Sequence, residues 1–84
     1  MALTYQIDKY EVDSEDDTKT KVGFKVTNDN GKILIIDKSV TTGSNTAEQI
    51  VTAAQADAQD EINAWDNATA NVGKTWNPET NTFE

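Results

Sequence analysis

The chain has 84 residues and a formal net charge of −8, and it contains no histidine, no cysteine and no arginine. Histidine most readily exchanges protons near neutrality and cysteine is the strongest ordinary nucleophile, so we expect no catalytic residues, no metal site and no cofactor. The negative charge disfavours nucleic-acid binding, because neutralising phosphates requires clustered basic residues. No apolar run approaches membrane-spanning length, so we expect no membrane association.

The first half of the sequence alternates apolar and polar residues, as half-buried strands do. Residues 3–7 follow this pattern, and residues 10–12 continue the first strand after a shift of phase at Lys9. A β-bulge near Lys9 would explain the shift. Residues 21–26 alternate again, which predicts a second strand with lysines on its polar face.

The acidic segment 13–17 lies between these two strands, and its like charges and short side chains favour a solvated hairpin loop. Asp13, Glu15 and Asp17 also occupy alternate positions, as the first ligands of an EF-hand calcium loop do. That alternative fits poorly, because Thr18 replaces the glycine the loop needs and Phe24 replaces its final glutamate.

Residues 28–31 read Asn-Asp-Asn-Gly, the strongest turn signal in the chain, and they predict a hairpin between the second and third strands. The third strand, residues 32–40, is apolar on both faces because four large aliphatic residues follow one another. These residues are Ile33, Leu34, Ile35 and Ile36. Whether Ile33 with Ile35 or Leu34 with Ile36 enters the core is left open. Such a strand lies either in the centre of a sheet or at an edge that the C-terminal tail or a neighbouring subunit covers.

A helix should follow, capped by Asn45 or Thr46 with Glu48 or Gln49 completing a capping box. Its apolar stripe recurs at spacings of three and four residues. The stripe comprises Ala47, Ile50, Val51, Ala54, Ala58, Ile62 and Trp65. A helix from Thr46 to Ala70 would exceed the length of a seven-residue strand, so we expect the end that carries Ile62, Trp65 and Ala68 to overhang the sheet. Trp65 is expected to anchor either the core or a partner contact.

These elements predict an α+β fold, in which a three-stranded antiparallel β-meander packs against one long C-terminal helix and an aromatic tail follows. The predicted boundaries are a single domain over residues 1–72 and a tail over residues 73–84. The turn signal at Asn77-Pro78 would allow Trp76 and Phe83 to pack across a short hairpin, fold back on the helix, or serve as a partner-binding arm.

The order of these parts resembles small virion-associated structural proteins of tailed phages, particularly those that infect cyanobacteria. The resemblance rests on the opening Met1-Ala2-Leu3-Thr4-Tyr5, the Asn-Gly hairpin, the helix ending in Ala64-Trp65 and the closing segment from Trp76 to Phe83. It implies a structural role without chemistry, in a protein made in the host cytoplasm and located in the virion.

We therefore expect a non-enzymatic capsid cement or decoration protein, or a tail or neck accessory protein. Its partners would be the major capsid protein or other virion proteins, with a homo-oligomer as a further possibility. The predicted contact residues are Ile33, Leu34, Ile35, Ile36, Trp65, Trp76 and Phe83. The alternative is a small acidic regulator that binds a basic host protein in place of nucleic acid, through an acidic array on the helix. That array would begin with Asp57, Asp60, Glu61 and Asp66.

Overall fold

The computed structural model describes residues 2–84; Met1, the first residue of the predicted domain and of the opening segment, lies outside the described residues. Three antiparallel strands form a meander in chain order: β1 (Thr4–Val12), β2 (Lys19–Thr27) and β3 (Ile33–Thr41). One helix, α1 (Ala47–Asn71), packs against one face of this sheet. The predicted α+β fold, with its three-stranded antiparallel sheet and single long helix, is confirmed.

The predicted bulge in β1 is present, since the register with β2 shifts between Ile7 and Lys9. Lys9 lies opposite Gly23, and a Cβ atom on that glycine would come within 2.8 Å of the Lys9 Cβ atom. The absence of a side chain at Gly23 lets Lys9 cross β2, and its Nζ atom comes within 4.0 Å of the Asp37 carboxylate on β3.

The hairpin between β2 and β3 is closed by a backbone hydrogen bond from the Asn28 N–H to the Lys32 carbonyl, with Gly31 at a positive φ of 73°. In the resulting register Phe24 faces Ile36 and Val26 faces Leu34. Directly opposed residues point to the same face of a sheet, so Leu34 and Ile36 turn toward α1. Ile33 and Ile35 consequently turn to the opposite face.

The core lies between β2, β3 and α1. Val22, Phe24 and Val26 are fully buried on the sheet side. On the helix side the buried residues recur every four positions, which places them on one ridge; they are Ile50, Ala54, Ala58 and Ile62. The helix begins with the predicted capping box, in which Thr46 and Gln49 exchange side-chain and backbone hydrogen bonds. Ala47 is exposed, since it precedes the first core contact of the helix at Ile50.

The helix overhangs the sheet less than its predicted length suggested, because the strands have nine residues each. Such strands span about 30 Å. Ile62 is fully buried, and Trp65 packs half-buried against the core, whereas Ala68 is exposed. The expectation that the overhang begins at Ile62 is therefore wrong.

Asn28 connects the C-terminal end of α1 to the hairpin between β2 and β3 through hydrogen bonds. Its side-chain amide donates to Asp66 Oδ1 at 3.1 Å and to Thr69 Oγ1 at 2.7 Å, and its carbonyl oxygen accepts from the backbone N–H groups of Asn30 and Lys32. Asn28 is buried, and all of these hydrogen bonds satisfy its polar atoms.

The C-terminal segment forms a second, separate hairpin of β4 (Trp76–Asn77) and β5 (Thr82–Phe83). The chain is elongated as a result, with principal dimensions of 55 × 20 × 19 Å and a radius of gyration of 16.6 Å. A compact chain of this length would have a radius of gyration of about 12 Å. No helix within residues 2–84 combines the length and the hydropathy needed to cross a membrane.

Candidate partner-binding surfaces

The face of the sheet opposite α1, which we call the open face, carries two large apolar side chains. Ile33 is 54% exposed and Ile35 is 57% exposed. Both belong to β3, which has β2 on one side and no strand on the other within residues 2–84. Exposed apolar residues on an unpaired edge strand favour pairing with another chain unless something covers them. We call Ile33 and Ile35 the isoleucine pair.

The other members of the predicted four-residue run have a different environment. Leu34 and Ile36 are partly buried and pack against the core, as does Trp65 on the helix. Their side chains hold β3 to α1, so the isoleucine pair is the part of this run that the fold presents to solvent. The C-terminal hairpin pairs only with itself within residues 2–84, so it does not cover the edge of β3.

The second predicted contact region is the hairpin at the C-terminus, residues 74–84, which we call the tail hairpin. The rings of Trp76 and Phe83 lie across from each other with centroids 5.2 Å apart and planes at 78°, an edge-to-face arrangement. The Lys74 Nζ atom lies 5.2 Å from the centre of the Phe83 ring. Trp76 and Phe83 remain 51% and 50% exposed, so half of each ring is available to a partner.

Local hydrogen bonds determine the turn of the tail hairpin. The Asn77 Oδ1 atom accepts from the Glu79 backbone N–H, and Asn81 adopts a positive φ of 56°, which asparagine tolerates better than most residues. The Glu84 N–H donates to the Thr75 carbonyl beyond the aromatic pair. The segment is therefore a structured hairpin, and it brings Trp76 and Phe83 together as the turn signal suggested.

A third apolar surface was not expected from the sequence. Ile7, Tyr10 and Val12 of β1 are 46%, 47% and 63% exposed, although they lie opposite buried residues of β2 and share the face that α1 covers. We call these three residues the β1 strip. The sequence contained one signal for it: a single helix about 10 Å wide cannot cover three strands.

The acidic loop between β1 and β2 uses its carboxylates locally. Asp13 accepts from the Ser39 hydroxyl and the Glu15 N–H, and these hydrogen bonds hold the pKa of Asp13 below its ordinary value. Asp16 accepts from the hydroxyl and the N–H of Thr18, which lowers the pKa of Asp16 in the same way. Across residues 2–84, no three acidic side chains are grouped to hold a metal ion.

The four acidic residues of the alternative array do not share one face of α1. Glu61 binds Lys38 of β3, and this hydrogen bond raises the pKa of Lys38. Asp57 lies one turn before Glu61 and therefore on the same flank of the helix. Asp66, by contrast, binds Asn28 and lies on the other flank.

Comparisons of this chain with family models, curated proteins and solved structures gave no match.

Proposed function

We propose that this chain is a non-enzymatic structural protein that binds other proteins in a phage particle, most concretely as a capsid cement or decoration protein. The observation that supports binding is the isoleucine pair, which lies exposed on an unpaired edge strand. The assignment to a virion rests on the resemblance of the opening strand, the hairpin and the closing segment to phage structural proteins.

The two predicted contact regions suit such a role in different ways. The edge of β3 offers backbone hydrogen-bonding groups to an added strand, with the isoleucine pair beside it for apolar contact. The tail hairpin extends the molecule along its 55 Å axis and presents two half-exposed aromatic rings. Aromatic side chains are enriched among the residues that dominate binding energy at protein interfaces, so Trp76 and Phe83 would serve as anchors.

The first experiment is quantitative mass spectrometry of purified particles, in which the copy number of this chain is compared with that of the major shell protein. Near-stoichiometric recovery is expected for a cement or decoration protein. A few copies per particle would replace this proposal with a tail or neck accessory role. Absence from the particles would refute a virion role and favour the acidic regulator.

A binding experiment then tests the surface itself. The Ile33→Lys/Ile35→Lys variant is added back to particles that lack the protein, and we expect it to bind at least about tenfold more weakly than the parent chain. Ala53→Lys/Ala56→Lys is the matched control, since both alanines are exposed on the helix and the double change adds the same two charges on the other side of the molecule. Equal binding of parent, isoleucine variant and control would show that the isoleucine pair is not the contact.

A further inference from the structure

The β1 strip lies beside α1 on a part of the sheet that the helix leaves uncovered. Ile7 is paired with Phe24, Tyr10 with Val22 and Val12 with Thr20, and all three partners are buried. The apolar floor of the core therefore continues from β2 onto β1, where the helix no longer covers it. This surface is on the opposite side of the sheet from the isoleucine pair.

The uncovered region has the width of one helix. α1 packs chiefly on β3 and to a lesser extent on β2. Adjacent strands are about 4.8 Å apart, so β1 lies about 10 Å from β3, which matches the 8–10 Å that separates packed helices. From Ile7 to Val12 the strip runs about 17 Å, which corresponds to about 11 helical residues or three turns.

The charges around the β1 strip are negative. α1 contains no basic residue, and the flank opposite Asp57 and Glu61, which faces β1, carries Glu48 and Asp66. The loop after Val12 adds three acids, Glu15, Asp16 and Asp17, whereas the Asp13 carboxylate accepts from Ser39 on the open face. The lysine of β1, Lys9, points to the open face, where it reaches Asp37. An occupant of this region would therefore need cationic side chains beside its apolar ones.

The helix of a second copy does not meet this requirement. Its apolar ridge is buried in its own core, and its opposite side offers only small apolar residues, Ala53 and Ala56, among polar ones and has no basic residue. The residues on that side include Gln49, Thr52, Asp60 and Asn63. We propose that the β1 strip is a second docking surface, separate from the isoleucine pair, which binds a basic amphipathic helix of about three turns from a partner protein. One molecule would then contact different partners through the two faces of its sheet.

The test uses the full chain, labelled with ¹⁵N, and a synthetic leucine–lysine peptide whose leucines follow the i, i+3, i+4, i+7 spacing. Titration should shift the amide resonances of the β1 strip and leave those of the isoleucine pair unchanged. Val12→Lys should weaken binding at least about tenfold, whereas Ile35→Lys, a matched substitution on the open face, should leave it unchanged. Both positions are exposed, so the spectra of the free variants should show the parent fold.

Two control peptides and one mass measurement make the outcome decisive. A scrambled peptide of the same composition, or a leucine–glutamate peptide of the same pattern, should bind much more weakly. If either binds equally well, or if shifts concentrate on the open face, the proposal is overturned. It is also overturned if sedimentation shows a dimer that Val12→Lys dissociates, since the occupant would then be a second copy. Ile35→Lys should not change peptide binding, and Val12→Lys does not alter the isoleucine pair. Failure of the peptide-binding test would therefore leave the proposed particle binding unaffected, and failure of particle binding would leave the peptide-binding result unaffected.

Discussion

Asn28 offers the sharpest test of how the hairpin and the helix are held together. The Asn28→Asp variant replaces the amide nitrogen with an oxygen while preserving shape. It removes the donor that now lies 3.1 Å from Asp66 Oδ1 and 2.7 Å from Thr69 Oγ1. Its other oxygen still accepts from the backbone of the turn, so the change isolates the contacts to the helix.

The magnitude follows from the bonds lost and the repulsion gained. A hydrogen bond to a charged acceptor contributes about 1.5–3 kcal/mol and a neutral one about 0.5–1.5 kcal/mol, so the two lost bonds cost about 2–4 kcal/mol. Two carboxylates at this distance add about 1 kcal/mol of repulsion even at the dielectric constant of water. The expected loss in the free energy of unfolding is therefore about 3–5 kcal/mol, a large part of the total stability expected for a chain of this size.

Unfolding by urea is monitored through the fluorescence of Trp65, which packs against the core. Trp76 is replaced by Phe in the parent and in these variants, so that Trp65 is the fluorophore that reports unfolding. Asn28→Asp should lower the midpoint strongly, and adding Asp66→Asn should recover much of the loss, because an amide at position 66 can donate to the new carboxylate. Asn30→Asp is the control: Asn30 is exposed, and the change should stay within about 0.5 kcal/mol.

Acid provides a second criterion for the same variant. The new carboxylate at position 28 is repelled by its neighbour only while it is ionised, so the penalty relative to the parent is present near neutral pH and shrinks as acid protonates that carboxylate. A loss below about 1 kcal/mol, a penalty that does not change with pH, or no rescue by Asp66→Asn would refute the role of Asn28 as the link between the hairpin and the helix.

Three further predictions concern other parts of the molecule. Gly23→Ala should destabilise the fold by about 1–3 kcal/mol in the same urea assay, because the new Cβ atom would lie 2.8 Å from the Lys9 Cβ atom of β1. An unchanged midpoint would contradict the close packing at the bulge. Trp76→Ala should unfold the tail hairpin, because an isolated two-stranded hairpin is marginal without its aromatic pair; the amide chemical-shift dispersion of residues 77–83 should collapse. The urea midpoint reported by Trp65 should not move, and a lower midpoint would show that the tail stabilises the rest of the fold. The pKa of Asp13 is lowered in the folded state, so its ionised carboxylate stabilises the fold above the ordinary carboxyl pKa, and this contribution is lost as the pH falls through the lower folded value. Asp13→Asn should therefore make the free energy of unfolding depend less steeply on pH in acid. An unaltered slope would argue against the hydrogen bond to Ser39.

Local patterns predicted the elements well because each had its own physical signal. The phase shift at Lys9 indicated the bulge, the Asn-Gly turn indicated the hairpin, and Thr46 with Gln49 indicated the start of the helix. These features depend on a few neighbouring residues. Local sequence therefore identified them, even though their tertiary contacts were unknown.

Quantities that depend on how elements pack were harder to predict. The choice between Ile33 with Ile35 and Leu34 with Ile36 required the register of the hairpin, which a four-residue apolar run does not specify. The overhang of the helix was overestimated because the helix was compared with a seven-residue strand, whereas each strand has nine residues. The β1 strip was missed because alternation shows that one side of a strand is apolar and does not show whether anything covers it.

The two edges of the sheet differ in their capacity to pair with another chain. The β1 edge contains a bulge, which interrupts the ladder and increases the local twist, so it is poorly suited to accept a further strand. The β3 edge pairs with β2 in unbroken register from Ile33 to Thr41, and it carries the isoleucine pair on one face. If the sheet is extended by a partner, the added strand should therefore lie beside β3. The bulge does not prevent a helix from packing against the apolar side chains of β1, because packing on the face of a sheet requires no hydrogen bonds from its edge.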